Sequence, residues 1–346
     1  MPRPVLALLL AALALPTPAA LAEEPAPRGD VVSLRFAWPA PARARITYRR
    51  TRLRTGRRPG TFTARYEVRV EPAPEGLAVR THGTTWRGEL PFSAALARDA
   101  IRASEQVVQQ IGDEGEFRGL DGVEALRPVL ARVLDDAKVP HEQAERALAL
   151  ALAATRAEAE ELWNLAVGFW TGADLKIGET YAMQSEAELP LLPGVRAPQA
   201  VEFSVRRRVP CTAGERAARC VEAVLRATPD RAAIERSAPQ LLARLAPAGT
   251  AQEGAAKDLA AESELVLVTD PENLLPRRVV WTKALRLGAR DKGPPDAEQV
   301  DRSEYDYRWL PAEPRPPRPK RPTPPAAAPK SPPASAARAA REAAAR

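Results

Sequence analysis

Cys211 and Cys220 are the only cysteines among 346 residues. A thiol pair can serve as a structural disulfide, a redox couple or half of a metal site. The spacing is not Cys-x-x-Cys, and neither histidine lies near in sequence. A strand-like run ends at Cys211, the polar segment TAGERAAR follows, and a second run leaves from Cys220. A hairpin there brings the two sulfurs within bridging range. The flanks therefore favour a disulfide, with the redox or metal pair as the alternative.

His82 and His141 are the only histidines. Neither belongs to a His-Glu-x-x-His motif, and no Gly-x-Ser-x-Gly elbow is present. They read as an ordinary strand residue and a helix-start residue. Carboxylates cluster at Asp135-Asp136 and at Glu158, Glu160 and Glu161. Acid–base catalysis needs two such groups across a cleft, one with a raised pKa. Both clusters fall on helix faces that read as solvated, so no catalytic, cofactor-binding or metal residue is assigned and no enzyme is expected. Ten arginines lie between Arg43 and Arg69. They could form a basic surface for phosphate, lipopolysaccharide or anionic lipid. The alternative is a solvated sheet face in a chain that prefers Arg to Lys.

The elements around these residues follow from periodicity. Phe62, Ala64, Tyr66, Val68 and Val70 alternate with Thr63, Arg65, Glu67 and Arg69, the pattern of a strand with one wet and one buried face. Val31–Trp38, Arg45–Arg54 and Leu77–Trp86 read as further strands of an antiparallel meander. A helical block follows. Leu96, Ala100, Ile101, Ser104, Val107, Val108 and Ile111 recur at three and four, so one helix is expected through Ile111. Glu116-Phe117-Arg118 could be a short strand. Asp121 with Glu124 fits a helix cap, against a rival reading of Asp121-Gly122 as a hairpin turn. Pro128 requires that helix to kink or to start later. The longest helix runs from His141 to Val167, with Leu148, Leu152, Thr155, Ala159, Leu162 and Ala166 as its apolar stripe.

Beyond Gly178 strands resume: Tyr181–Leu189, Ala200–Val209, Cys220–Ala227, Glu264–Thr269, Arg277–Leu287 and Arg302–Leu310. A helix over Asp230–Leu245 contains Pro239, and Ala246–Ala261 reads as a loop. The aromatic segment Trp163–Tyr181 is expected to dock the helices onto a sheet built from both ends of the chain.

The two ends differ in kind. Arg3, the apolar run Val5–Leu15 and Ala20-Leu21-Ala22 before Glu23 describe a secretory signal peptide cleaved after Ala22. With Glu23 next rather than a cysteine, no N-terminal lipid anchor is expected. The apolar run is shorter than the ~20 residues that span a bilayer, so no transmembrane span is expected, and the address is periplasmic or secreted. From Pro311 the chain is rich in Pro, Ala and Arg, and such a segment cannot offset its ordering entropy by burial. A disordered tail is expected over 311–346. Its eight basic residues face only Glu313 and Glu342, so the tail holds most of the formal +7 charge. Arg315, Arg318, Lys320 and Arg321 are its candidate contacts to an anionic surface or partner. The rest is nearly neutral, which argues against a specific nucleic-acid partner.

The segment LVLVTDPENLLPRRVVWTK (Leu265–Lys283) joins two strands through an Asp-Pro turn. It resembles a hairpin of exported proteins with a curved antiparallel sheet, such as the periplasmic lipoprotein carriers of the LolA/LolB type. Gly115–Leu126 and Ile177-Gly178-Glu179-Thr180-Tyr181 are similar to exported families of the same build. The resemblance implies a half-barrel whose concave face binds something apolar, and it carries over no functional residue.

The expected fold is α+β: a linker over 23–30, then one domain over 31–310 made of a curved, half-barrel-like antiparallel sheet with a helical insertion at 92–170, and the tail. The expected function is binding of a lipid or hydrophobic ligand, without a cofactor. The alternative is a structural or accessory envelope protein whose tail engages an anionic surface.

Overall fold

The computed structural model describes residues 30–88, 93–245, 258–288 and 296–311. The expected signal peptide, all of the linker but Asp30, and all of the tail beyond Pro311 lie outside these residues. In chain order the elements are β1 (Val31–Ser33), β2 (Ala42–Arg54), β3 (Gly60–Ala73), β4 (Gly76–Gly88), α1 (Ala94–Ser104), β5 (Val108–Ile111), β6 (Phe117–Asp121), α2 (Arg127–Asp136), α3 (His141–Ala166), β7 (Asp174–Lys176), β8 (Thr180–Leu189), β9 (Leu192–Val209), β10 (Cys220–Pro229), α4 (Arg231–Leu245), β11 (Leu259–Thr269), β12 (Pro276–Leu287) and β13 (Ala297–Trp309).

Eleven strands form one antiparallel sheet in the order β6-β5-β4-β3-β2-β13-β12-β11-β10-β9-β8. The two strand groups of the sequence are joined where β13 pairs with β2, Tyr305 opposite Tyr48. The sheet is open, with β6 and β8 at its edges. It is also curved. Trp163 donates its indole N–H to Gly115 O, in the turn between β5 and β6, at 2.8 Å. Six residues on, Phe169 meets Phe203 of β9 at 5.0 Å between ring centroids. In a flat sheet β5 and β9 would lie ~38 Å apart at the usual strand spacing. Six residues of helix span only ~9 Å. Both contacts require the sheet to bend around this segment. A single core cluster accordingly runs from Ile111 through Val70, Ile46, Trp281, Leu267 and Val205, and is filled from above by Trp163, Val167 and Trp170.

Indole N–H groups need partners when buried, and these find them in backbone carbonyls. Trp38 donates to Leu274 at 3.1 Å, Trp170 to Leu165 at 2.7 Å and Trp309 to Pro276 at 2.8 Å. A second cluster packs Ile234, Ala238, Leu241 and Leu245 of α4 on Leu259, Ala261 and Leu285 of the same face.

Several expectations need correction. Val31–Trp38 is not a strand of the main sheet. Only β1 forms, and it pairs with β7 in a two-stranded sheet. Residues 34–37 run on extended, with Arg35 and Ala37 donating backbone hydrogen bonds to Pro271 and Asn273. The helix expected through Ile111 stops at Ser104, because Val108–Ile111 pairs with Leu77–Arg80 of β4. The helical insertion thus carries two strands, β5 and β6. Asp121 ends β6, and the cap position before a short 3-10 turn is Gly122, at φ +70°. Pro128 sits in the first turn of α2, where its missing N–H costs nothing. The loop expected through Ala261 ends earlier, since β11 starts at Leu259.

Candidate functional site: two clefts beside the long helix

Alternation decides which side chains face the trough. In the ladder β12–β13–β2, Lys283 lies opposite Asp301 and Asp301 opposite Arg52. One pleat along, Trp281 lies opposite Ser303 and Ser303 opposite Arg50. Opposed residues share a face, so these six form a block on the concave side. α3 crosses above them, and a cleft lies along each of its flanks. Glu161, Glu188, Trp281 and Lys283 line both clefts.

The first cleft, about 250 Å³, is ion-lined, by Arg50, Arg52, Glu158 and Asp301 besides the shared residues. Asp301 is 7% exposed. Arg52 grips it with Nε at 2.9 Å from Oδ1 and Nη2 at 2.7 Å from Oδ2, and Arg50 Nη2 adds a bond at 2.9 Å. Burial pushes the Asp301 carboxyl up, but the hydrogen bonds from Arg52 and Arg50 outweigh it and hold it below the usual aspartate value. Glu161 goes the other way. Burial raises it, and Lys283, at 3.3 Å, only partly opposes the rise. The Lys283 ammonium also stands 3.8 Å above the Trp281 ring, a cation–π contact.

The second cleft, about 320 Å³, is more apolar. Leu165 and Phe169 form one wall, Met183 and Ala187 of β8 the other, and Val201, Leu225 and Trp281 lie at its base. Met183 is 43% exposed, a large apolar side chain left open in this cleft. Burial pushes the phenols of Tyr66, Tyr305 and Tyr307, on the same face of the sheet, upward.

The structure places the residues singled out in the sequence as follows. Cys211 and Cys220 form a disulfide, beside the β9–β10 pairing of Val209 with Cys220. His82 lies in β4 and His141 opens α3. Asp135, Asp136, Glu158 and Glu160 are exposed. Glu161 is not on a wet face as expected, but turns to the trough and its ion pair. The ten arginines do not share one surface: Arg50 and Arg52 face the trough, whereas Arg45 and Arg65 face outward. Asp301 and Lys283 escaped sequence reasoning, because nothing local distinguishes them from solvated strand residues. Among the described residues no group of His, Cys, Asp and Glu could hold a metal ion. No helix among them is long and apolar enough to cross a membrane.

Fold and site together define an α+β protein with an open, curved antiparallel sheet and a helix-covered trough. No protein-family model matches the chain, and no curated protein matches it. Among solved structures it is similar to one of lipovitellin described for lipid–protein interactions, at TM-score 0.41 and 10% identity over 79% of this chain. This chain spans 25% of that one. It is also similar to DynF from the dynemicin biosynthesis pathway of Micromonospora chersina, at TM-score 0.19 and 10% identity, covering 81% of this chain and 84% of that one. Likenesses at this level bear on neither ligand nor activity.

Proposed function

We propose that the protein is a non-enzymatic, exported binding protein of the cell envelope that holds a lipid or other amphiphile in the trough beneath α3. The observation that carries this reading is the second cleft: an apolar slot that shares Trp281 and Lys283 with an ion-lined neighbour. An amphiphile matches that arrangement, with its chain in the slot and its polar end toward the ions. The volume, about 320 Å³, lies at the small end of ligand pockets. It suits a single acyl chain, each buried methylene of which contributes ~0.8 kcal/mol.

Catalysis is the weaker reading because the two perturbed acids of the trough are already engaged, Asp301 by two arginines and Glu161 by Lys283. A disulfide fits an oxidising compartment, in line with the signal-like start of the sequence. The LolA/LolB-type carriers are the build this reading draws on. The alternative, an accessory protein acting through its tail, rests on Arg315, Arg318, Lys320 and Arg321, all outside the described residues.

The test is native mass spectrometry of protein purified from its own envelope, together with titration of a fluorescent fatty-acid probe. A co-purified mass, and probe binding lost in Ala187→Phe, which narrows the slot, are expected. An empty protein that ignores the probe would sink the reading.

A further inference from the structure

We propose that a notch on the convex face of the sheet, remote from the trough, is a binding site for phosphate oxyanions. The notch, about 560 Å³, is lined by Arg45, Arg65 and Arg308 and by the acids Glu67 and Asp306, with Thr47 and Thr85 on its walls. It opens where β4 bulges away from β3. The register shifts between Arg65 and Glu67, and Gly83 takes φ +63° to make the turn-out.

Arg45 stands directly opposite Arg308 across β2 and β13 and opposite Glu67 across β2 and β3, and Arg65 lies opposite Thr47, one pleat from Arg45. Opposed residues have Cβ atoms ~5 Å apart and diagonal ones ~7–8 Å. Three arginines therefore border the one notch. Like charges placed directly opposite are destabilising. On the same face Arg43, Arg69 and Arg80 also stand opposite one another, but Arg69 and Arg80 are ion-paired with Glu67 and Glu71, as Arg226 is with Glu264, Arg207 with Glu222, and Arg286 with Glu262 and Glu298. The side chains of Arg45, Arg65 and Arg308 make no hydrogen bond or ion pair among the described residues.

Both lining acids have ion-pair partners outside the three arginines. Glu67 accepts from Arg69 Nε at 2.9 Å, and Asp306 lies 3.8 Å from Arg278. The notch thus offers forked donors not engaged in a hydrogen bond or close ion pair, and walls bearing hydroxyls, the chemistry that recognises a phosphoryl group. Free phosphate and a phospholipid headgroup present the same oxyanion.

Both sources are tested on the full chain, by calorimetric titration with inorganic phosphate and by co-sedimentation with phosphatidylglycerol vesicles. Three variants are compared with the natural sequence: Arg45→Gln and Arg308→Gln in the notch, and Arg226→Gln on the same face but outside it. All three remove one charge and keep the same tail. The notch variants should weaken binding about tenfold, the loss of one charge-assisted contact, and Arg226→Gln by less than about twofold. Binding in the phosphate arm, in the vesicle arm or in both supports the site and identifies the source. Equal losses in all three variants, no loss in the notch variants, or no binding in either arm would overturn it. Arg308→Gln should also melt no lower than the natural sequence in phosphate-free buffer, since it relieves the opposition to Arg45, which separates lost binding from lost folding.

Discussion

Trp163, near the C-terminal end of α3, donates its indole N–H to the carbonyl oxygen of Gly115, 48 residues earlier, at 2.8 Å. The bond ties the helix to the β5–β6 end of the sheet, and it is built tightly. Gly115 holds φ +86°, and a Cβ there would lie 2.6 Å from the ring of Phe36, which makes a T-shaped contact with Trp163 at 6.2 Å between centroids. Sheet curvature and the roof of the trough both depend on this junction.

The first prediction follows from it. Trp163→Phe keeps most of the apolar burial but leaves the Gly115 carbonyl without its donor, and should cost ~1–3 kcal/mol. Gly115→Ala adds a forbidden Cβ at a left-handed position and should also destabilise, by more than ~1 kcal/mol. Urea melts of both variants provide the measurement. Natural-sequence midpoints would mean the junction does not hold the fold.

The apolar stripe of α3 supplies the second. Leu152 is 2% exposed, while Glu160 is exposed. Leu152→Ala should cost ~2–5 kcal/mol through the cavity it leaves, and Glu160→Ala should stay within ~0.5 kcal/mol. Equal effects in the same melts would misassign the buried face.

The third concerns pH. Asp301 is held below its ordinary value of 3.8 in the folded protein. A depressed acid contributes stability that is present above the unfolded-state value and is lost as pH falls through the folded one. At pH 7 Asp301→Asn should therefore cost ~1–3 kcal/mol. Because Arg50 and Arg52 are 44% and 55% exposed, water solvates them once unpaired and keeps the loss near the lower figure. The gap between the two proteins should close as pH drops below about 3.8. A gap that stays constant across that range would show that the charge of Asp301 is not what matters.

The fourth concerns the hairpin. Cys211 and Cys220 are bridged across a sequence separation of 9. Closing so short a loop stabilises by ~2–3 kcal/mol in the chain-entropy model. Non-reducing peptide maps should recover the pair joined, and Cys211→Ser/Cys220→Ser should melt earlier by a matching amount. Two free thiols in the mature protein would contradict the bridge.

Local pattern alone determined much of this protein. Strict alternation over Phe62–Val70 marked β3 and its buried face. A stripe at threes and fours marked α3, and two flanking strands marked the disulfide hairpin. These features depend on neighbours within a few residues, which is the range over which periodicity and turn chemistry act.

Tertiary structure decided the rest. Val107, Val108 and Ile111 fit a helical pattern, yet β4 offered hydrogen-bond partners, and a sheet ladder overrode a marginal helix end. The pairing of β13 with β2 closes a gap of more than two hundred residues that no local signal reports. The site shows the same division. Glu161 looked like one more acid on a wet helix, but its partner Lys283 is 122 residues away. Asp301 meets Arg52 only because the β2–β13 register sets them opposite each other. Burial and charge pairing depend on distance in space, and the sequence does not specify that distance until the sheet has curved and brought its strands beneath α3.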